Sequence, residues 1–189
     1  MTMTTDIRTL FDEDAIATRV AALSEEIAAA KPRDLLVVAV LKGSFIFAAD
    51  LVRAMHRAGL EPEMEFLHLS SYGAGTVGSD TIRILRDVES NVNERDIILV
   101  DDILESGRTL AFARERLKER GARSVRIAAL LDKPDRRKAA ISADYVGFTC
   151  PDKFVVGYGM DMGHAWRQLP YIGYVVAPGE AASDDKTGE

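Results

Sequence analysis

Residues 97–109 read Ile97-Ile98-Leu99-Val100-Asp101-Asp102-Ile103-Leu104-Glu105-Ser106-Gly107-Arg108-Thr109. The apolar run Ile97–Val100 predicts a strand over Ile97–Asp101, buried on both faces as in a parallel sheet. A helix is predicted over Thr109–Arg120, stopped by Gly121. Between them lie three acids and a small-residue turn. A strand that ends in carboxylates and turns onto a helix N-terminus serves two purposes. The backbone N–H groups and the helix dipole bind a phosphate. The carboxylates reach hydroxyls or a metal on the same ligand. Together they suit a ribose phosphate.

The bland reading is a solvated acidic turn before an ordinary helix. It accounts poorly for Asp101 and Asp102, which repel each other and are costly to bury unpartnered. It also leaves Glu105, Ser106, Gly107 and Thr109 at these offsets as accidents. A Walker B strand would need a G-x-x-x-x-G-K-[ST] loop upstream, which the chain lacks.

The flanking sequence supplies the rest of a strand-helix alternation. An amphipathic helix is predicted over Asp12–Lys31, a buried strand over Leu35–Leu41 and a helix over Phe45–Ala58. Strands follow over Glu63–Ser70 and Thr81–Leu85, separated by the glycine-rich, flexible loop Ser71–Asp80. Further strands are predicted over Val125–Leu131, Tyr145–Thr149, Phe154–Tyr158 and Tyr171–Val176. This pattern implies βαβ units and a mainly parallel sheet, whose ligands bind beyond the carboxyl ends of the strands. Lys42-Gly43 and Asp101–Thr109 both fall at such ends.

The 189-residue chain has the length of one domain, and 47% hydrophobic residues can fill a core. A net charge of −6 argues against non-specific nucleic-acid binding. The single cysteine, Cys150, allows no internal disulfide and fits a reducing cytoplasm. Residues 1–14 lack the apolar stretch of a signal peptide, and no window is apolar enough for a transmembrane helix. The polar end, residues 179–189, reads as a flexible tail. No metal-ligand spacing links His56, His68 and His164.

Several separated motifs add up to a family resemblance. They are Leu41-Lys42-Gly43-Ser44, Ser70-Ser71-Tyr72-Gly73, Asp101–Thr109, Leu130-Leu131-Asp132-Lys133, and Pro151–Tyr158 with Asp161 and Arg167. In this order, from about residue 35 to 176, they resemble the hypoxanthine(-guanine) phosphoribosyltransferases, which use 5-phosphoribosyl-1-pyrophosphate (PRPP). The resemblance implies the type I phosphoribosyltransferase fold, a twisted α/β sheet flanked by helices. It implies one domain over residues 1–178, with a core of about 33–150 and a small hood from 1–30 and 151–178. The implied activity is purine salvage: the phosphoribosyl group passes from PRPP to N9 of hypoxanthine or guanine, giving the nucleoside monophosphate and pyrophosphate.

The resemblance also implies roles. Asp101 and Asp102 orient the ribose hydroxyls, directly or through Mg2+. Residues Glu105, Ser106, Gly107, Arg108 and Thr109 hold the 5′-phosphate, and Glu105 handles the purine N7 proton. Lys42 and Gly43 bind pyrophosphate, often beside a cis Leu41–Lys42 peptide, and Arg167 clamps it. Ser71 and Tyr72 belong to a closing loop that excludes water. Lys133 donates to the purine 6-oxo group, Phe154 stacks on the base, Val155 meets its edge and Asp161 holds Mg2+. A homodimer or homotetramer is implied as well. The family usually has Asp where this chain has Glu105, so the carboxylate reaches farther by about 1.5 Å. Two other readings remain open: a phosphoribosyltransferase preferring xanthine, and a non-catalytic regulator that senses PRPP or nucleotide.

Overall fold

The computed structural model describes residues 6–72 and 81–176. The predicted loop at 73–80 and the predicted tail at 179–189 lie outside the described residues. Chain order runs β1 (Ile7–Phe11), α1 (Glu13–Ala29), β2 (Leu36–Leu41), α2 (Phe45–Arg57), β3 (Glu63–Tyr72), β4 (Thr81–Arg86) and β5 (Asp96–Leu104). It continues with α3 (Arg108–Glu119), β6 (Ser124–Asp132), a 3-10 turn (Pro134–Arg136), β7 (Tyr145–Thr149), β8 (Val155–Val156) and β9 (Ile172–Val175).

Six strands form one sheet in the order β4-β3-β2-β5-β6-β7. Neighbours from β3 to β7 are parallel, and only the edge strand β4 runs antiparallel. Both faces are covered, so successive side chains of one strand enter two different cores. In β2, Val37 and Ala39 pack with α1 and α2 residues such as Ile16, Leu23, Phe47 and Leu51. Leu36, Val38 and Val40 pack on the other face with Leu110, Ala113 and Leu117 of α3. Continuous apolar runs in the central strands are the sequence consequence of this double burial.

A second, three-stranded antiparallel sheet, β1-β9-β8, joins the two ends of the described chain. Strand β1 had no counterpart in the sequence reading. Its order comes from pairing with β9, Ile7 opposite Val175 and Thr9 opposite Gly173, a contact with no local signature. Helix α1 begins as the sequence implies: the Asp12 carboxylate accepts from the Ala15 N–H at 2.8 Å.

Several predicted boundaries shift, and the strand predicted over Phe154–Tyr158 shortens to Val155–Val156, with Gly157 and Tyr158 at positive φ beyond it. Ser71 and Tyr72 are the last residues of β3, opposite Ile82 and Thr81 of β4, and not the first of a loop. Strand β5 does not stop at Asp101 but continues to Leu104, with Ile103 opposite Leu131 and Leu104 opposite Asp132 of β6. The edge supplied by β6 lets the ladder run on through the acidic pair.

Leu99 sits in the middle of β5 with no exposed surface. Leu99→Ala should lower stability by about 2–5 kcal/mol in urea unfolding, since a packed site flanked by strands on both sides collapses poorly. A loss below about 1 kcal/mol would contradict the double-sided core.

Candidate active site

Strand β5, the 105–107 turn and the start of α3 form one wall of a cavity of about 360 Å³. Asp101, Asp102, Glu105, Ser106 and Thr109 line this wall, and Lys133, Phe154 and Asp161 line the same cavity. The sequence motifs far apart in the chain therefore meet at one sheet edge. Strand β6 delivers Lys133, and the segment around β8 delivers Phe154 and Val155.

Helix α3 is entered through Gly107, whose φ is +78°. A Cβ there would also stand 2.4 Å from Ile141 Cγ2, so both conformation and space require glycine. Glycine brings no capping side chain, which leaves the first-turn N–H groups of α3 to a ligand. The Ser106 hydroxyl lies at the margin of contact with the Arg108 N–H, 3.5 Å away.

Asp101 is buried and Asp102 half-buried at the end of β5. Burial and the neighbouring Asp102 charge push the Asp101 carboxyl well above its ordinary range. Burial raises Asp102 as well, opposed by hydrogen bonds and by the Arg167 charge. The Asp102 N–H donates to the Asp101 carboxylate at 3.0 Å, and the Ile103 N–H to that of Asp102 at 2.9 Å.

Lys42 and Gly43 follow β2, the neighbour of β5, and the Leu41–Lys42 peptide is cis. Gly43 lies directly against the acidic pair: a Cβ on it would fall 1.6 Å from Asp102 Oδ2. A Cβ on Gly159 would fall 2.1 Å from the Gly43 carbonyl. The turn after β2, the turn after β8 and the carboxylates thus touch in series. Lys42 itself is exposed.

Beside the turn, the Lys133 ammonium is buried and stands 2.7 Å from Glu105 Oε1. It also donates to the Lys153 carbonyl at 2.9 Å. An ammonium has three donors, so one remains for a ligand. The Phe154 ring is 55% exposed, which leaves an apolar face bare beside these polar groups. Arg167 Nη2 meets Asp161 Oδ1 at 2.5 Å, and Nη1 donates to the Gly159 carbonyl at 2.6 Å. Asp161 also accepts from the His164 N–H at 2.8 Å. Asp161 and Arg167 are therefore brought together with each other. Among the described residues, Asp101, Asp102 and Asp161 do not converge into one three-carboxylate cage.

Of the remaining sequence candidates, Arg108 opens α3 and is exposed. The backbones of Ser71 and Tyr72 end β3, two strands away from β5. Cys150 is buried, and burial raises its thiol above the ordinary value, as for an inert core residue. Sequence reasoning passed over Gly159 and Arg137. Arg137 sits in the basic run Arg136-Arg137-Lys138, which looks like solvated surface until the fold closes on it.

A phosphoribosyl transferase domain model matches residues 6–162. The chain is 47% identical over 138 residues to the hypoxanthine-guanine phosphoribosyltransferase of Bacillus subtilis, covering 73% of this chain and 75% of that one. It is 44% identical over 167 residues to the bifunctional protein TilS/HprT of Listeria innocua, covering 88% of this chain but only 25% of that protein. The chain thus spans a quarter of that longer relative. A hypoxanthine phosphoribosyltransferase structure from Staphylococcus aureus superposes with a TM-score of 0.84 at 38% identity, covering 89% of this chain and 91% of that one. The chain belongs to the phosphoribosyltransferase family, on the hypoxanthine(-guanine) branch.

The raised Asp101 carboxyl carries a stability consequence. The folded protein holds a proton there that the unfolded chain releases. Stability therefore falls as pH rises from the ordinary carboxylate range to the folded value, and the deficit persists above it. Asp101→Asn should raise the melting temperature at pH 7 by roughly 2–4 °C. That advantage should shrink as the pH falls through about 4 toward 3, where the acid is protonated in both states. A lower melting temperature for the variant at pH 7 would contradict the assignment.

Proposed function

We propose that the protein transfers the 5-phosphoribosyl group of PRPP to N9 of a 6-oxopurine, hypoxanthine or guanine, releasing pyrophosphate. The observation that carries this reading is the cavity in which a helix N-terminus and paired carboxylates face a buried lysine and a bare aromatic ring. The first half suits a ribose phosphate and the second a flat, polar-edged base.

On this reading the 5′-phosphate rests on the N–H groups of the 105–109 turn and on the Ser106 and Thr109 hydroxyls. Asp101 and Asp102 bind the ribose hydroxyls. The donor left on Lys133 meets the purine 6-oxo group, and Phe154 stacks on the ring. Adenine offers a 6-amino group, which would leave the buried ammonium facing a donor, a mismatch that rejects it strongly. The Val155 backbone meets the base edge.

The cavity holds four carboxylates, Asp101, Asp102, Glu105 and Asp161, against one lysine. A phosphorylated ligand entering it needs added positive charge. Two adjacent acids, one buried and one half-buried, with raised protonation and a glycine backbone pressed against one of them fit a Mg2+ ion, which binds through one or two carboxylates together with water and substrate oxygens. The adjacent pair Asp101 and Asp102 would hold it, and Asp161, which stands apart from the pair, would take part mostly through water. When bound, Mg2+ neutralises charge on the departing pyrophosphate.

Arg167 now pairs with Asp161 and Gly159. In catalysis its fork would turn to pyrophosphate, beside Lys42 and Gly43. As the C1′–O bond breaks and N9 attacks, positive charge grows on the ribose within an acidic surround. Glu105 accepts the N7 proton. Its carboxylate rests on Lys133 at 2.7 Å, so the acid and the lysine are held as one unit. Ser71 and Tyr72, in the role the family gives them over the pyrophosphate, would help keep water from the ribosyl cation.

The reading includes a cytoplasmic setting, in keeping with the free Cys150, and a homodimer or homotetramer on the strength of the family. The regulator reading would call for binding without turnover.

An ultraviolet turnover assay with PRPP and magnesium, run separately with hypoxanthine, guanine, xanthine and adenine, tests this. Hypoxanthine or guanine should turn over and adenine should not, with activity abolished by EDTA. Glu105→Gln should lower kcat by roughly 100-fold or more, and Glu105→Asp by less. A folded protein that binds PRPP but turns over none of the bases would overturn the enzyme reading in favour of the regulator.

A further inference from the structure

The phosphate turn has a back as well as a front. The Leu104 carbonyl accepts from the Lys133 N–H at 3.1 Å and from Arg137 Nη2 at 3.1 Å. The next carbonyl, Glu105, accepts from Arg137 Nε at 2.8 Å. The next, Ser106, accepts from the Lys138 and Ala139 N–H groups at 3.0 and 2.9 Å. Three successive carbonyls are thus tied to the single segment 133–139.

A peptide is planar and trans, so each carbonyl points opposite to the N–H of the residue that follows. Tying the carbonyls of residues 104–106 to this segment turns the N–H groups of 105, 106 and 107 away from it, toward the cavity those residues line. The segment is in turn fixed by one side chain. Arg137 spreads over the Leu104 and Glu105 carbonyls, donates to the Ile141 carbonyl at 2.8 Å through Nη1, and pairs with the Asp132 carboxylate at the end of β6. Its side chain is only 17% exposed. Its Cδ would lie 3.1 Å from a Cβ on Gly107, so it also packs beneath the turn.

We propose that Arg137 is a positioning residue for phosphate binding: it touches no ligand and acts by aiming the N–H groups of residues 105–107. The inference rests on the reading of this turn as the 5′-phosphate site. Planar, divergent donors are what adjacent carbonyls require, and a lysine cannot supply them. The effect should fall on PRPP and not on the base.

Arg137→Ala should raise KM for PRPP by roughly 10- to 100-fold, the scale of an ångström of misplacement. KM for hypoxanthine should change little. Free guanidinium at millimolar concentration should restore part of the loss. Arg137→Lys keeps the charge and stem, guards against a variant that fails to fold, and should remain as impaired as the alanine variant. Calorimetry with ribose 5-phosphate against ribose supplies a second readout, independent of turnover. The variant should lose the preference for the phosphorylated sugar. If wild-type protein turns over no base yet prefers ribose 5-phosphate and Arg137→Lys does not, the enzyme reading fails and the role of Arg137 stands. A folded Arg137→Lys with wild-type KM for PRPP and wild-type ribose 5-phosphate affinity would overturn the role of Arg137 while leaving the enzyme reading in place.

Discussion

At the junction of β5 and α3, peptide N–H groups must stay available to a ligand while every neighbouring carbonyl is bonded. A short turn cannot satisfy that asymmetry by itself, because its donors and acceptors come in equal numbers. The protein meets it with a second segment of chain, residues 133–141, which absorbs the carbonyls. The αL conformation at Gly107 then turns the backbone into α3 with no side chain capping its N-terminus. Sheet order serves the same end. Strand β6 lies beside β5, so the residues leaving β6 emerge directly behind the turn.

The charge distribution follows from the same arrangement. Asp101 is placed where burial and the Asp102 charge work against its ionisation, and Asp102 where burial does. Such a pair detracts from stability in the free protein and is a common mark of a site built for a ligand. The partially compensating charges are arranged around it: Arg167 acts on Asp102, and the Lys133 ammonium on Glu105. Each of these cations is also tied to a backbone carbonyl, Gly159 for Arg167 and Lys153 for Lys133. The two basic groups are thereby held in place before substrate arrives, which reduces the ordering a ligand must impose.

The central architecture was legible because it is written locally. Apolar runs of strand length such as Leu36–Leu41 and Ile97–Val100 report burial on both faces, and the α1 cap at Asp12 obeys helix chemistry alone. What escaped was set by distant pairing. Strand β1 exists because β9 lies alongside it, and β5 runs on to Leu104 because β6 continues beside it. The site was legible in its acids and its glycine, which end a buried strand and open a helix; Lys133 entered only through the family resemblance, since a lysine in a polar run reads equally as solvated surface. The direct meeting of Gly43 with Asp102, and the anchoring by Arg137, depend on loops that converge only in three dimensions. An arginine in a basic run carries no mark that separates a buried anchor from a solvated side chain.

Backbone amide NMR with ribose 5-phosphate, referenced to an equal titration with ribose, is the most direct test of the phosphate turn. The account predicts phosphate-dependent shifts concentrated in the amides of residues 105–110, with smaller changes elsewhere. Shifts confined to other strand ends, or none in this turn at saturating ligand, would contradict it.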